Sequence, residues 1–206
     1  ADPSVAAIDI CTPTASHSEL IEKAVRAGKD FFCEKPLCED LETARRINDL
    51  VRRHHRIGMV GYIYRFSPVF STAYELLKNV ATNGGSLEFG KIVTAFFRIG
   101  GRGSHQLWKH RKSMGGGAIN EMLVHMIDLA LWFFGPVADL DVLACDLLRP
   151  VREIAGVQET ADAEDHVLIR MHMRCGVQVL CQADLVTPAF TQFVEIQGEN
   201  GTFMGS

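Results

Sequence analysis

Three ionisable residues, Glu121, His125 and Asp128, lie within the otherwise apolar stretch of residues 118–134. A stretch that is apolar nearly all round is typical of a buried helix. Spacings of four and then three residues place the three side chains on one face of that helix. Burying three such groups is costly unless they are paired or face a wet cleft. The pattern therefore fits a hydrogen-bonded core triad or an active site, and the helix alone does not decide between the two.

Lys35 is a second residue whose setting suggests chemistry. It stands between Glu34 and Pro36, just after a predicted parallel strand. A residue before proline is held extended, so its side chain is aimed in a defined direction. A lysine in this position could donate a hydrogen bond to a substrate oxygen and stabilise a developing alkoxide. The alternative is a surface lysine that pairs with Glu34.

The first 62 residues alternate between short strands and helices. Strands are predicted over residues 5–11, 30–33 and 57–62, with the first expected to be buried. Because the connections are short, this order predicts a parallel βαβαβ unit, which is half of a doubly wound dinucleotide-binding fold. Ligands of such folds bind at the carboxyl ends of the strands. The residues expected at those ends are Thr12, Pro13, Glu34, Lys35 and residues 62–65.

The two helices of this unit have recognisable starts. Ser16 and Glu19 form a candidate capping box, in which each side chain would bond a free backbone amide of the first turn. Asp40 is the expected N-cap of the second helix. The buried face of that helix is predicted from its apolar spacing to comprise Leu41, Ala44, Ile47, Leu50 and Val51.

Residues 63–206 follow a different pattern. A helix is predicted from Pro68 to about Val80, followed by a loop at 83–85 and a strand at 91–98. Residues 166–185 and 193–204 are predicted to form hairpins. We therefore predict an α/β chain in which residues 1–62 form the C-terminal half of a dinucleotide-binding domain. Residues 63–206 would form an α+β substrate-binding and oligomerisation domain with a large, mainly antiparallel sheet.

Composition excludes several classes of function. Hydrophobic residues make up 47% and charged residues 22%, as in ordinary globular proteins. The net charge of −4 and the lack of a basic stripe argue against a nucleic-acid partner. No apolar run is expected to reach the length of a membrane span. The six cysteines form no CxxC pair, so we expect buried free thiols, a cytoplasmic location and no metal site.

Four stretches, in this order along the chain, resemble the glucose–fructose oxidoreductase and inositol dehydrogenase (Gfo/Idh/MocA) family. They are residues 11–17 (CTPTASH), 33–36 (CEKP), 61–68 (GYIYRFSP) and 115–135 (GGGAINEMLVHMIDLALWFFG). No single stretch is specific, but the four together are. The resemblance implies an NAD- or NADP-dependent oxidoreductase that acts on a secondary hydroxyl of a sugar, a sugar derivative or a cyclitol.

The resemblance also implies a role for each candidate residue. Lys35 would polarise the substrate hydroxyl, and His125 would be the general base that takes its proton. Glu121 would orient His125 or contact a second hydroxyl. The family usually has an aspartate there, so the fine substrate geometry stays open. Asp128 would hold His125 or the helix.

Further residues are implied to contact the ligands. Arg65 would lie near the nicotinamide or the substrate, and Trp108 with residues 109–112 resembles the family's substrate loop, although a solvated loop fits those charges equally well. The residues implied to lie along the cofactor, besides Lys35, are Thr12, Pro13, His17 and Glu34.

The family's phosphate-binding Gly-x-Gly-x-x-Gly turn has no counterpart among these 206 residues. We therefore expect a piece of a longer protein that on its own binds little or no cofactor. The alternative function is a non-catalytic binding or oligomerisation module. In either case a homo-oligomer assembled through the sheet of the second domain is expected.

Overall fold

The computed structural model describes residues 2–77, 85–86, 89–103 and 106–206. The chain divides into two compact units, Ala1–Tyr62 and Ile63–Ser206. The predicted loop at residues 83–85 and the last residues of the helix predicted to reach Val80 lie largely outside the described residues.

The first unit is a three-stranded parallel sheet with two connecting helices. The strands β1 (Ala7–Ile10), β2 (Asp30–Cys33) and β3 (Gly58–Val60) lie in the order β1-β2-β3. The helices are α1 (His17–Arg26) and α2 (Leu41–Arg53). The parallel pairing confirms the predicted βαβαβ unit. The short apolar strands and the amphipathic helices form this unit because they bury their apolar surfaces against one another.

The core of the first unit contains residues from both helices, so α1 and α2 cover the same side of the sheet. Its members are Ile10, Ile21, Val25, Phe31, Cys33, Ile47 and Leu50. Two predictions of burial were wrong. Leu41 begins α2 and is 65% exposed, and Ile10 is the only buried residue of the edge strand β1.

The two predicted helix starts have different outcomes. Asp40 caps α2, and its Oδ1 accepts a hydrogen bond from the Thr43 backbone N–H at 2.8 Å. The capping box at Ser16 was wrong. Its hydroxyl instead contacts Thr12 Oγ1 and the Pro13 carbonyl oxygen, both at 2.8 Å, while Glu19 pairs with Lys23. A 3-10 turn at Thr14–Ser16 leads into α1 and directs the Ser16 hydroxyl back toward that turn.

The second unit contains a large mixed sheet with helices packed on one face. Its strands are β4 (Gly85–Ser86), β5 (Gly90–Gly100), β6 (Val137–Asp146), β9 (His166–Met173), β10 (Gln178–Asp184), β11 (Thr191–Gly198) and β12 (Thr202–Gly205). They lie in the order β12-β11-β5-β10-β9-β6, with β4 beside β5, and pair antiparallel except for the parallel pair β5 and β10. This confirms the predicted mainly antiparallel sheet and both predicted hairpins.

Three strands between residues 137 and 160 were not predicted. They are the edge strand β6 and the separate hairpin of β7 (Val151–Ile154) and β8 (Val157–Thr160). Much of β6 is exposed despite its apolar residues, and β7 and β8 have four residues each. Such short or exposed strands carry a weak alternating pattern.

The core of the second unit lies between the sheet and two helices, α3 (Pro68–Leu77) and α4 (Val124–Phe134). Aromatic rings fill its centre, where Phe97 stacks on Phe133 with ring centroids 5.7 Å apart. Met126, Leu129 and Phe134 are fully buried beside them. This burial accounts for the nearly unbroken apolar character of α4.

The helix predicted from residue 118 to 134 has two parts. A π-helical turn at Ile119–Leu123 precedes α4, and Gly135 ends the helix with a φ of +76°. The extra residue in a π turn widens the spacing of the side chains on it, and such turns are frequent at functional sites. Glu121 therefore projects from a different turn geometry than His125 and Asp128.

The helical segment Lys112–Phe134 has the length and composition of a membrane-spanning helix, whereas no apolar run of that length was expected. Of its most apolar window, 61% is buried within the chain. The central helix of a protein core meets the same criteria, so this feature is weak evidence for a span. The expected lack of a membrane partner and the cytoplasmic location stay predictions.

Candidate active site

The start of the long helix is fixed by a glutamate from a distant part of the chain. Glu164 Oε1 accepts a hydrogen bond from the Ile119 N–H at 3.1 Å, and its carbonyl oxygen accepts one from the Ala118 N–H at 2.9 Å. Gly117 has a φ of +113°, and a Cβ there would lie 2.2 Å from Glu164 Oε1. The glycine-rich loop therefore allows Glu164 to hold the π turn that carries Glu121.

Glu121 is buried, with 8% of its surface exposed. Its Oε2 forms an ion pair of 2.7 Å with Lys109 Nζ. The same ammonium group lies 5.2 Å from the centre of the Trp108 ring. The pair therefore ties the 3-10 turn Leu107–His110 to the π turn.

His125 is 6% exposed and packs against Tyr64. The two rings meet edge to face, with centroids 4.8 Å apart and planes at 80°. Tyr64 belongs to the 3-10 turn Ile63–Phe66 and also meets Phe70 edge to face. Burial raises the pKa of the Tyr64 phenol, so this ring stays neutral beside the histidine.

Asp128 pairs with Arg65 rather than serving only its own helix. Its two carboxylate oxygens accept hydrogen bonds from Arg65 Nε at 2.7 Å and from one terminal nitrogen at 2.5 Å. The guanidinium group also lies 5.6 Å from the Trp132 ring centre, and Trp132 stacks on Tyr74 at 3.9 Å. Asp128 was predicted to have a structural role, and the structure shows Arg65 as its partner.

These pairings explain how the helix carries three buried ionisable groups. Each carboxylate has a cation within hydrogen-bonding distance, which compensates part of the cost of removing both charges from water. His125 lies between the two pairs along the helix. The sequence alone left a core triad and an active site open, and these pairs provide a fixed frame in which a buried histidine can exchange protons.

His17 lies inside the first unit, with 1% of its surface exposed. Its Nδ1 is 2.9 Å from the Pro36 carbonyl oxygen, and its Nε2 is 2.8 Å from the Thr12 carbonyl oxygen. Both ring nitrogens therefore face backbone oxygens, and the place of His17 along the cofactor stays a prediction. His17 links the loops that follow β1 and β2 and so positions the residues on them.

The other candidates of the first unit lie on those two loops. Thr12 and Pro13 are exposed, while Glu34 and Lys35 are half-buried. The Lys35 backbone N–H donates to Glu34 Oε2 at 3.3 Å, and the Lys35–Pro36 peptide bond is cis. All four residues follow the carboxyl ends of parallel strands, where ligands of such folds bind.

Trp108 lies in the second unit with 37% of its surface exposed. Its indole N–H donates to Gln106 Oε1 at 2.9 Å. The Lys109 ammonium group lies over the ring, and part of the ring surface stays exposed.

The cysteines form no disulfide and no metal site in the described parts of the chain. Cys33 and Cys181 are buried as predicted, and burial raises the pKa of the Cys33 thiol to about 12. Cys11 and Cys145 are exposed, which corrects the expectation that the thiols are generally buried.

Three residues that contact or position the site were not predicted from the sequence. Tyr64 lies within the stretch 61–68, but its aromatic type gave no reason to place it against His125. Lys109 was noted only as part of a charged loop. Glu164 left no sequence signal, since it is 45 residues from the amide that it caps.

The fold and these residues define a Rossmann-type unit followed by an α+β unit that carries a buried histidine. Residues 1–62 match the oxidoreductase family with an NAD-binding Rossmann fold, and residues 84–204 match the GFO/IDH/MocA C-terminal domain. The chain therefore belongs to the Gfo/Idh/MocA family, as its motifs predicted.

Curated relatives are named dehydrogenases. Levoglucosan dehydrogenase of Pseudarthrobacter phenanthrenivorans is 26% identical over 98% of this chain and 56% of its own length. Inositol 2-dehydrogenase of Rhizobium meliloti is 28% identical over 95% of this chain and 55% of its own length. The chain spans about half the length of the curated relatives it matches.

Solved structures have the same fold. A complex of levoglucosan dehydrogenase with NADH and L-sorbose is similar at a TM-score of 0.81 and 25% identity, covering 98% of this chain and 54% of that one. An NAD-binding oxidoreductase from Klebsiella pneumoniae gives a TM-score of 0.85 at 21% identity, covering 98% of this chain and 54% of that one.

Proposed function

We propose that the protein carrying this chain is an NAD(P)-dependent oxidoreductase that interconverts a secondary hydroxyl and a ketone on a sugar, a sugar derivative or a cyclitol. The observation that carries the proposal is the buried His125 between two ion-paired carboxylates, Glu121 and Asp128. A buried, framed histidine next to a fixed carboxylate is suited to general acid–base catalysis near neutral pH.

In the proposed oxidation, His125 accepts the proton of the substrate hydroxyl as the hydride leaves the carbon. On the family resemblance, Lys35 is proposed to donate a hydrogen bond to a substrate oxygen and to stabilise the negative charge that develops on it. Glu121 orients His125 or accepts a hydrogen bond from a neighbouring hydroxyl, and Trp108 packs against the substrate ring. In the reduction, His125 returns the proton to the alkoxide oxygen.

The cofactor supplies the hydride acceptor when it is bound. The loops after β1 and β2 fit such a group, because His17 holds them together at the carboxyl ends of parallel strands. Thr12, Pro13, Glu34 and Lys35 are the residues proposed to hold it. Arg65 is proposed to act near the substrate side, although Asp128 already binds two of its donor groups.

The relatives support NAD and a small polyhydroxylated substrate. The scyllo-inositol 2-dehydrogenase (NAD(+)) of Bacillus subtilis is 32% identical over 65% of this chain and 36% of its own length. Levoglucosan dehydrogenase has been solved with NADH and levoglucosan. We therefore propose NAD as the first cofactor to test, with inositols and anhydro- or ketosugars as the first substrates.

The experiment is a turnover assay on the full-length protein with NAD or NADP and a panel of these polyols. His125→Asn is expected to lower kcat by about 100-fold or more, the usual contribution of a general base. Lys35→Ala is expected to lower it as well. The matched control is His54→Asn, an exposed histidine in the first unit. Normal turnover in the His125 or the Lys35 variant would overturn the assignment.

A second function is favoured by the outer face of the large sheet, opposite the helices. Leu180 and Phe96 lie side by side there, and the Phe96 and Phe193 rings are 6.2 Å apart. These residues are only partly buried within the chain. We propose that this face mediates homo-oligomerisation, either as part of the enzyme or as the function of a non-catalytic module.

A further inference from the structure

A cleft of about 600 Å³ lies in the second unit beside the β7–β8 hairpin. Its volume is in the range of small-molecule sites. Arg102 and Gly103 line it together with residues of the hairpin. The residues that carry its charge are Arg102, Arg149, Arg152 and Glu153, with His110 also on its surface.

The charges on the cleft are unbalanced. Arg102 and Arg149 are exposed, and within the described ranges neither guanidinium group has an acceptor on the protein. Glu153 is the only carboxylate among the described lining residues. Two exposed arginines that line one open cleft, with no acceptor for their guanidinium groups in the described ranges, favour an anion.

Arg152 adds a buried positive charge to the lining of the cleft. Its side chain is 8% exposed and pairs with the buried Asp165 at 2.8 Å. One terminal nitrogen also donates to the carbonyl oxygens of Leu185 at 2.8 Å and of Arg102 at 3.2 Å. Its Nε is buried and has no hydrogen-bond partner in the described part of the chain. The protein thus retains a costly buried cation with an unused donor at this site.

The anchoring of Arg152 also fixes the arginines around it. Asp165 accepts hydrogen bonds from the backbone N–H groups of Leu148 and Arg149 at 2.7 and 2.9 Å. The Arg102 carbonyl oxygen is bound by Arg152 itself. The backbones that carry the two exposed guanidinium groups are therefore held by one buried ion pair, which preorganises the site.

We propose that this cleft binds the phosphate group of a small molecule, with Arg102 and Arg149 as its direct ligands. A planar guanidinium group matches two oxygens of a phosphate at once, and two such groups suit its double charge. His110 lines the cleft, while the adjacent Lys109 pairs with Glu121. The phosphate belongs either to the substrate, which rests on the proposed function, or to a separate effector.

The first experiment measures binding without turnover, so it does not depend on the proposed activity. Inorganic phosphate is titrated into the protein by calorimetry at low ionic strength. We expect saturable binding at one site, weakened by roughly tenfold or more in Arg102→Gln/Arg149→Gln, because charge-assisted hydrogen bonds are lost. Glu153→Gln should tighten binding, since it removes the carboxylate.

Arg174→Gln is the matched control, because Arg174 is exposed on the turn between β9 and β10 and does not line the cleft. All substituted side chains are exposed, so unchanged thermal unfolding will show that the variants fold. The proposal is overturned if phosphate does not bind, binds only as an adventitious ion with no saturation, or binds equally well to the double variant.

A kinetic comparison distinguishes the two sources of phosphate. If the substrate carries it, the double variant raises KM for an inositol phosphate at least tenfold and leaves KM for the unphosphorylated inositol unchanged. If an effector carries it, inorganic phosphate changes the turnover of an unphosphorylated substrate in the parent protein and not in the double variant. Phosphate binding without any turnover would support the cleft and contradict the proposed dehydrogenase.

Discussion

At the scale of single residues, the candidate site depends on charge pairs that flank a histidine along the helix. Glu121 and Asp128 are nearly buried, yet each faces a cation from another segment, Lys109 or Arg65. Breaking a buried pair by removing one partner costs much more than replacing both, because a lone buried charge remains. The fixed pairs therefore hold the helix side chains in place around His125.

The Lys109–Glu121 pair gives a direct test. Lys109→Met leaves the Glu121 carboxylate without this cation and is expected to lower the free energy of unfolding by roughly 1–3 kcal/mol. The loss is smaller than for a fully buried pair because the Lys109 side chain is 25% exposed, so that water screens its charge. Urea unfolding followed by circular dichroism measures the change.

The double variant Lys109→Met/Glu121→Gln is the control for that pair. It removes both charges and is expected to recover part of the stability that Lys109→Met loses. Equal stability of the parent protein and Lys109→Met would show that the ion pair contributes nothing to holding the π turn.

At the scale of elements, the glycine-rich loop and the π turn determine where Glu121 points. The π turn inserts one residue before α4, so Glu121 and His125 are not spaced as on a regular α-helix. Glu164 then binds the first amides of the turn. The predicted bounds of the helix agree with the structure, but its first five residues form a π turn and not an α-helical one.

Gly117→Ala tests this element. The new Cβ would collide with the Glu164 carboxylate, and φ of +113° is unfavourable for alanine. We expect a loss of about 2 kcal/mol or more in unfolding free energy, with lower turnover because the π turn shifts. Urea unfolding and the polyol assay report the two effects.

Gly115→Ala is the matched control. Gly115 also has a positive φ, of +74°, but a Cβ there would meet nothing within 4 Å. The free energy of unfolding of Gly115→Ala should therefore fall by only about 1 kcal/mol, the cost of the left-handed backbone conformation for alanine. If the two variants lose the same stability, the contact between Gly117 and Glu164 is not what holds the helix start.

At the scale of the whole molecule, the sheet of the second unit has two different faces. One is covered by α3 and α4, and the other leaves Phe96, Leu180 and Phe193 half-exposed. These three apolar side chains lie among polar neighbours such as Thr94 and Glu195. Protein interfaces commonly have such a mixed composition. The proposed homo-oligomer would cover it with a second copy of the same face.

Leu180→Lys is expected to weaken that assembly at least tenfold, because a charge would be buried at the centre of the interface. Light scattering coupled to size-exclusion chromatography measures the mass of the full-length protein. Leu41→Lys makes the same chemical change on an exposed leucine of the first unit and should leave the mass unchanged. An oligomer that survives Leu180→Lys would place the interface elsewhere.

The sequence alone determined the family and the order of the elements outside residues 137–160. Apolar spacing, Asp40 as an N-cap and the four motifs are local patterns, and local sterics and burial translate them directly into strands and helices. They also identified His125, Glu121 and Lys35 as candidates. The short strands β7 and β8 were not predicted because four residues give only a weak alternating apolar pattern.

Only the tertiary structure decided which groups meet. Arg65 and Asp128 are 63 residues apart, and Glu164 is 45 residues from Ile119. Such pairs depend on strand register and on how the helices pack, which residue spacing does not encode. For the same reason His17 proved to be a buried link between loops. The arginines of the cleft lie together because the β7–β8 hairpin lies beside residues 102 and 103.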